Sequence, residues 1–152
     1  MDKVLDPVRE RTSPELNDRI DNHTLGMLRR LEQALPAQIE MRLLELEGEW
    51  DVDRAFEVSS GTLAMLGLGL AATVHRGFLV IPGVISGFLL QNALQGWCLP
   101  VALFRRQGFR TSHEILRERT ALRVLRGDFA GEPDHHAEIA LAVATRTVYA
   151  VD

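Results

Sequence analysis

The sulfur of Cys98 is the side chain with the most obvious chemical potential in this sequence. It lies beside Trp97 and could act as a reactive thiol or carry a persulfide. A lone cysteine in apolar company more often serves as a small buried hydrophobic residue whose pKa is raised. Because the chain holds a single cysteine, an internal disulfide and a CxxC redox or metal pair are both excluded.

Two histidine positions could bind an anion or a metal. His75 stands next to Arg76 and could hold an anion or ligate haem, although a polar turn explains it with fewer assumptions. The pair His135 and His136 could contribute to a metal site, but no second cluster has the spacing of metal ligands. We therefore predict no catalytic residues, no metal and no cofactor, and a protein that is not an enzyme.

A long apolar stretch, residues 58–104, dominates the elements around these side chains. Its 47 residues contain one formal charge, Arg76, near the middle. That length and lack of charge are typical of two membrane crossings joined by a tight turn. The mean hydropathy of the whole chain is only −0.01 because the charged ends offset the apolar middle. We predict a transmembrane helical hairpin over 58–104, with its second crossing at about residues 78–96.

The region before this stretch, residues 1–57, carries a net charge of −6. Residues 1–12 lack apolar periodicity and are predicted to be a mobile arm. Two helices are expected next, from Pro14 to about Ala34 and from Pro36, forming an acidic amphipathic hairpin. Their expected apolar stripes are Leu16, Ile20, Met27 and Leu31 in the first helix and Ile39, Leu43, Leu46 and Trp50 in the second.

The region after the apolar stretch, residues 105–130, is predicted to hold a basic amphipathic helix. Thr111 and Glu114 form a capping box at its start, and Gly127 marks its end. Its apolar face is expected to comprise Ile115, Leu122, Leu125 and Phe129. The tail, residues 131–152, is predicted to be a weak helix or disordered. The predicted fold class is thus all-α: a two-helix transmembrane hairpin with cytoplasmic amphipathic helices before and after it.

Arginines next to the second crossing indicate topology and partners. Short loops rich in Lys and Arg stay in the cytoplasm, so the block from Arg105 to Arg110 predicts that both termini are cytoplasmic. Arg105, Arg106 and Arg110 are candidates to bind lipid head groups or an acidic partner, including the acidic hairpin of this chain. Nucleic acid is not an expected partner, because the chain is acidic and lacks interleaved aromatic residues.

Small residues in the second crossing suggest close helix packing. Gly83 and Gly87 form a GxxxG pair whose stripe continues through Gln91 and Gln95. Such stripes let membrane helices approach closely and form amide hydrogen bonds. They either pack the hairpin within one chain or form a homodimer seam. The facing stripe in the first crossing would be Ser60, Ala64, Gly67 and Ala71.

Residues 61–110 resemble the YgaP-like transmembrane domain family, a group of small bacterial inner-membrane proteins. The similarity lies in a Gly- and Ala-rich first crossing, a one-turn break, a Gly-rich second crossing and Gly96-Trp97-Cys98. It continues through residues 103–111 and 118–129. Family members commonly place proline directly after the cysteine, whereas Leu99 intervenes here before Pro100.

The resemblance implies a bacterial inner-membrane location and helices that pair into a dimer. Some members are fused to a rhodanese, a sulfurtransferase whose catalytic cysteine lies in an anion-binding loop that this chain lacks. We expect a non-enzymatic oligomerising scaffold or accessory subunit that contacts the lipid bilayer and associates with itself or with a membrane protein. The alternatives are a partner in sulfane sulfur handling through Cys98, and a soluble helical bundle with 58–104 as its core.

Overall fold

The computed structural model describes residues 6–128 and 137–149, with side chains described as far as residue 145. These residues are helical and contain no β-strand, which confirms the all-α class. A 3₁₀ turn, Arg76–Leu79, follows the fourth helix. The helices are α1 (Pro7–Glu10), α2 (Pro14–Leu31), α3 (Pro36–Gly48), α4 (Val52–Thr73), α5 (Val80–Gln95), α6 (Leu99–Arg106), α7 (Ser112–Arg126) and α8 (Ala137–Tyr149).

The apolar stretch forms most of α4 and all of α5, which pack on each other, and its last residues form most of α6. Asp51 caps α4 by accepting a hydrogen bond from the Arg54 N–H at 2.7 Å. The helices approach closely at Gly67, where an added Cβ would lie 2.8 Å from Cδ of Pro82. Phe56, near the start of α4, clusters with Cys98, just beyond the end of α5. The two helices therefore run antiparallel.

Two helical stretches are long and apolar enough to cross a membrane, judged by length and composition. One is Pro36–Thr73, whose apolar part lies in α4, and the other is Arg76–Gln95, which joins the 3₁₀ turn to α5. No residue of α5 is buried in the structure. The sequence prediction of two apolar helices around residues 75–77 agrees with this arrangement.

Helix α7 is the centre of a second group of helices, in which α2, α3 and α8 pack around it. Leu122 and Leu125 of α7 share one core with Leu28 of α2 and Leu43 of α3. Helix α3 thus packs mainly on α7, and α2 packs on α7 and α8, whereas the sequence analysis expected α2 and α3 to pack on each other. The reason is that α7 supplies apolar side chains to Leu28 of α2 and to Leu43 of α3. Trp50, expected at the end of the α3 stripe, is instead exposed.

The segment before α2 is docked, so the prediction of a mobile arm over residues 1–12 is wrong for residues 6–12. Asp6 and Val8 are buried. Pro7 lies against Gly96, whose φ of +64° and closeness to Pro7 both require glycine, since an added Cβ would lie 2.5 Å from Cγ of Pro7. A sequence without periodicity docks here because single side chains fill gaps between other helices. Residues 1–5 lie outside the described part.

The predicted tail contains α8. Ala137, Ala140 and Ala144 of this helix are buried in the core around α7. Alanine at these positions allows the close packing of α8 on α7 and favours the helix itself. Of the two predicted states of the tail, the helical one thus applies to Ala137–Tyr149. Phe129 and the pair His135 and His136 lie outside the described residues.

Candidate functional site

A buried network of charged side chains lies where α6 and α7 meet α1, α2 and α3. We call it the polar core. At its centre, Arg105 donates two hydrogen bonds to Glu114, at 2.6 and 2.9 Å, and each residue is 1% exposed. Buried charges persist in proteins only when they are paired and hydrogen-bonded. The members of the polar core are Arg9, Asp21, Arg42, Glu49, Arg105, Arg110, Glu114, Arg117 and Glu118.

One half of the polar core surrounds Glu114. Arg9, from the segment predicted to be mobile, donates to Glu114 at 2.6 Å and to Asp21 at 2.5 Å. Arg117 also pairs with Asp21. The Thr111 N–H donates to Glu114 at 3.0 Å and the Glu114 N–H donates to the Thr111 hydroxyl at 3.2 Å, which confirms the predicted capping box. Glu114 thus ties together the ends of α1, α6 and α7.

The other half surrounds Glu118, one helical turn after Glu114 on the same face of α7. Glu118 accepts hydrogen bonds from Arg110 and, at 3.0 Å, from Arg42 of α3. Arg110 also donates two hydrogen bonds to Glu49, at 2.7 and 2.6 Å. The Arg110 carbonyl accepts the Val52 N–H at 2.8 Å, close to the start of α4. This half therefore joins α3, α7 and the first turn of α4.

Two carboxylates of the polar core, those of Glu114 and Asp21, are held in their charged form. Burial by itself raises the pKa of Glu114, but the hydrogen bonds and charge of Arg105, with contributions from Thr111 and Arg9, outweigh it and lower the pKa. Asp21 behaves in the same way, since Arg9 and Arg117 outweigh the effect of burial and lower its pKa. A carboxylate with a lowered pKa is a poor proton donor or acceptor near neutral pH. Glu114 and Asp21 are therefore suited to holding helices together through ion pairs rather than to transferring protons.

The three arginines predicted to bind lipid or an acidic partner differ in burial and in ion pairing. Arg105 and Arg110 are buried and bind acidic residues of this chain, so neither reaches a lipid surface. Arg106 is exposed and makes no ion pair within the described residues. The difference arises because successive residues of a helix point about 100° apart, so Arg105 faces inward and Arg106 outward.

Gly83 and Gly87 face away from α4. An added Cβ at either position would meet nothing within 4 Å. The stripe predicted for the first crossing does face α5, since Ser60 and Gly67 are buried. At Gly67 this stripe meets Ile81 and Pro82 rather than the glycines, because the proline ring and the isoleucine side chain fill the space beside it. Packing of the helix pair within the chain thus does not use Gly83 and Gly87.

The remaining members of that predicted stripe lie nearer the end of α5. Gln95 is exposed and Gln91 is half-buried. The neighbouring Asn92 has its side-chain oxygen buried without a hydrogen bond in the described part of the chain. The structure therefore does not bring the four predicted packing residues together on one covered surface.

Cys98 lies in a small apolar cluster with Val8, Val52, Phe56 and Val101 and is fully buried. Burial raises the pKa of its thiol. His75 accepts a hydrogen bond from the Gly77 N–H at 2.9 Å and thereby shapes the turn between α4 and α5. Neither observation favours sulfur transfer at Cys98 or ligand binding at His75.

We expect Cys98 to resist alkylation in the folded protein because its thiol is both inaccessible and protonated at neutral pH. Reaction with a maleimide or a disulfide reagent at pH 7.5 should be at least about 100-fold slower than after unfolding. An exposed cysteine at Gln107, introduced in a Cys98→Ser background, serves as the accessible control. Equal rates for the two cysteines would contradict the burial of Cys98.

The sequence analysis proposed the acidic hairpin as a partner of the arginines next to the second crossing but missed the burial of Glu114 and Glu118, although one signal was present for Glu118. Ile115, Glu118, Leu122 and Leu125 follow the 3-4-3 spacing of a buried helix face. An acid at such a position indicates a buried carboxylate that needs a cationic partner. The partners themselves are distant in sequence and could not be identified in this way.

Within residues 6–128 and 137–149, no group of three His, Cys, Asp or Glu side chains is placed to hold a metal ion. The resemblance to the YgaP-like family rests on the sequence features described in the sequence analysis. Comparisons with protein-family models, with curated proteins and with solved structures gave no match to this chain.

Proposed function

We propose that this protein is a non-enzymatic membrane scaffold that associates with itself or with a larger membrane complex. In this proposal α4 and α5 span the bilayer, and the helices around α7 form a cytoplasmic bundle. The observation that carries the proposal is that α5, an apolar helix, has no buried residue and exposes Val84, Leu90 and Leu94. Exposed apolar surface of this kind marks a site of contact with a membrane or with another protein.

The dimensions of the helices fit a bilayer. At ~1.5 Å per residue, the 20 residues of Arg76–Gln95 extend over roughly 30 Å, the thickness of the hydrocarbon core. Helix α4 has 22 residues, of which those after Glu57 are uncharged. Leu63, Met65 and Leu66 of α4 are exposed, as are Val84 and Leu90 of α5. The proposal assigns this apolar surface to contact with lipid and with a partner helix.

Aromatic and basic side chains support a cytoplasmic position for both termini. Trp50 and Trp97 lie at the end of the helix pair where α4 begins and α5 ends, each near an arginine. Tryptophan favours the membrane interface, and arginine favours its cytoplasmic side. At the opposite end of the helix pair, the turn between α4 and α5 carries two basic residue types, His75 and Arg76, and both are exposed. The imbalance in basic residues favours the proposed orientation.

The polar core supports the scaffold role because it connects the proposed membrane part to the bundle. Arg110 bonds Glu49 and Glu118 through its side chain and Val52 through its carbonyl. Arg105 lies in α6, directly after the chain leaves α5. The helix pair is therefore joined to the bundle by hydrogen bonds, several of them buried and charge-assisted, in addition to the covalent chain.

Self-association is assigned to the outer face of α5. Gly83 and Gly87 share a helical stripe with Leu90 and Leu94, which are 61% and 77% exposed. Glycines without neighbours allow the backbone of a second helix to approach, and the leucines beyond them add contact area. We propose that this face packs against the same face of α5 in a second copy of the chain.

We expect Gly87→Leu to weaken the dimer by about tenfold, which corresponds to about 1.4 kcal/mol, because a side chain on this stripe keeps the two helix backbones apart. The mass of the intact particle in mild detergent, measured by native mass spectrometry over a dilution series, reports the change. Gly69→Leu in α4 is the matched control, since an added side chain there also meets open space.

The same preparation tests the whole proposal. The protein should be recovered from the membrane fraction after a carbonate wash and should need detergent for extraction. A particle of two chains supports self-association, and a larger or mixed particle supports an accessory role in a complex. Recovery of a soluble monomer without detergent would refute the membrane scaffold.

A further inference from the structure

A groove with an almost entirely apolar lining lies between the second half of α5 and α6. It has a volume of about 400 Å³ and is lined by Phe88, Leu99, Pro100, Ala102, Leu103 and Arg106. Arg106 is the one charged residue of this lining, and it is exposed. The lining of the groove is therefore apolar except for this one cation.

Helix α6 has two faces, and the groove lies on the outer one. Leu99, Leu103 and Arg106 follow the i, i+4, i+7 spacing of one face, and the two leucines are 67% and 56% exposed. Val101 and Arg105 lie on the other face and are buried. The inner face thus belongs to the apolar cluster and the polar core, while the outer face has no cover within the described chain.

The direction of the chain places this outer face beside the proposed membrane boundary. Gly96, with φ of +64°, ends α5 and turns the chain into α6. Trp97, a residue type that favours the interface, follows directly. The groove therefore lies between Phe88 of α5 and the outer face of α6, with Arg106 in its lining.

The charges beside the groove favour an anionic ligand. Arg105 and Arg110 are neutralised by carboxylates of this chain, whereas Arg106 has no ion pair among the described residues. An arginine without an ion pair among the described residues, in the lining of an apolar groove, matches a molecule with a hydrocarbon chain and a phosphate. The shape and the charge together fit a phospholipid with a net negative charge.

We propose that this groove binds an anionic phospholipid, with one acyl chain along Phe88, Leu99 and Leu103 and the phosphate accepting hydrogen bonds from Arg106. The inference rests on the proposed function, because it needs α5 to lie in a bilayer. It adds a defined lipid site to a surface that would otherwise make only general contact with the membrane.

Lipid counting by native mass spectrometry tests the site. The purified full-length protein, in mild detergent, is titrated with phosphatidylglycerol or with phosphatidylcholine of the same acyl chains. We expect one tightly bound phosphatidylglycerol per chain and weaker binding of phosphatidylcholine. Arg106→Gln should lower the affinity for phosphatidylglycerol about fivefold, the effect of about 1 kcal/mol, and should leave phosphatidylcholine binding unchanged.

Two further variants separate charge from shape. Arg123→Gln removes the same charge from an exposed position of α7 and should leave both affinities unchanged. Ala102→Phe fills the groove without changing the charge and should weaken both lipids. Equal binding of the two lipids, an equal effect of the two arginine variants, or displacement by inorganic phosphate alone would overturn the lipid site.

The membrane assay distinguishes this failure from failure of the scaffold. If the protein remains in the washed membrane fraction but shows no preference for phosphatidylglycerol, only the lipid site is refuted. If the protein is soluble, the proposed function fails, and the lipid site fails with it because it needs α5 to lie in a bilayer.

Discussion

Replacement of Glu114 by glutamine is expected to lower the free energy of unfolding by about 3–5 kcal/mol, the usual cost of breaking a buried ion pair from one side. Glutamine keeps the shape of the side chain but removes the charge that balances Arg105. Arg105 is 1% exposed and cannot turn to water. The guanidinium of Arg9, which donates to the same carboxylate at 2.6 Å, loses one of its two carboxylate partners and keeps Asp21.

Thermal or urea unfolding in mild detergent, followed by circular dichroism, measures this effect. A chain of this size should lose roughly 10 °C in Tm. The control is Glu138→Gln, which removes an ion pair with Arg29 in which both side chains are more than half exposed. Such surface pairs contribute about 0–1 kcal/mol. Equal effects of the two variants would show that the polar core does not hold the bundle together.

The pH dependence of stability provides an independent check on Glu114. Its folded pKa is lowered, so the stability that it contributes is fully present above its unfolded pKa of about 4.3 and is lost as the pH falls through the folded pKa. The wild-type protein should therefore lose stability in acid below about pH 4.3. The Glu114→Gln variant should show a smaller loss over the same range, because it has no carboxylate at this position to protonate.

An arginine in place of Val84 should prevent stable insertion of α5. Val84 is about half exposed and lies near the middle of Arg76–Gln95. A charged residue at the centre of a crossing costs about 2.5–3.5 kcal/mol, which shifts the insertion equilibrium roughly 100-fold. The measurement is the fraction of protein that stays in carbonate-washed membranes.

The matched control is Gln107→Arg, which adds the same charge at an exposed position just after α6. We expect this variant to remain in the membrane fraction like the wild type. The result also decides between a membrane protein and a soluble bundle. In a soluble protein, arginine at an exposed position of α5 would be tolerated, so unchanged behaviour of Val84→Arg would favour the soluble alternative.

Local patterns in the sequence were sufficient to predict most of the helices. Pro14 and Pro36 begin helices, the Thr111–Glu114 capping box opens α7, and Gly96 and Gly127 end α5 and α7 in the left-handed conformation. Buried residues such as Ile20, Leu43 and Leu122 lie on the predicted stripes. These features were predictable because they depend on residues within one or two helical turns.

The segment around Val8 shows where local patterns fail. Residues 6–12 have no periodicity, yet Asp6 accepts a hydrogen bond from the Thr111 hydroxyl at 2.6 Å and Arg9 reaches Glu114. These contacts join residues about 100 positions apart. A single charged residue in a sequence does not indicate which distant charge it will bind, so this docking could not be predicted.

The sequence by itself determined the all-α class, the apolar stretch 58–104 and its division at residues 75–77, since hydrophobicity and helix capping act over short distances. Only the tertiary structure decided which side of each helix is covered. It placed α7 between α2 and α3, turned Arg105 and Arg110 inward while leaving Arg106 outside, and left Gly83 and Gly87 uncovered. The physical reason is that burial of a charge or a glycine depends on the complementary side chain supplied by another helix, and helical periodicity specifies a face without specifying its partner.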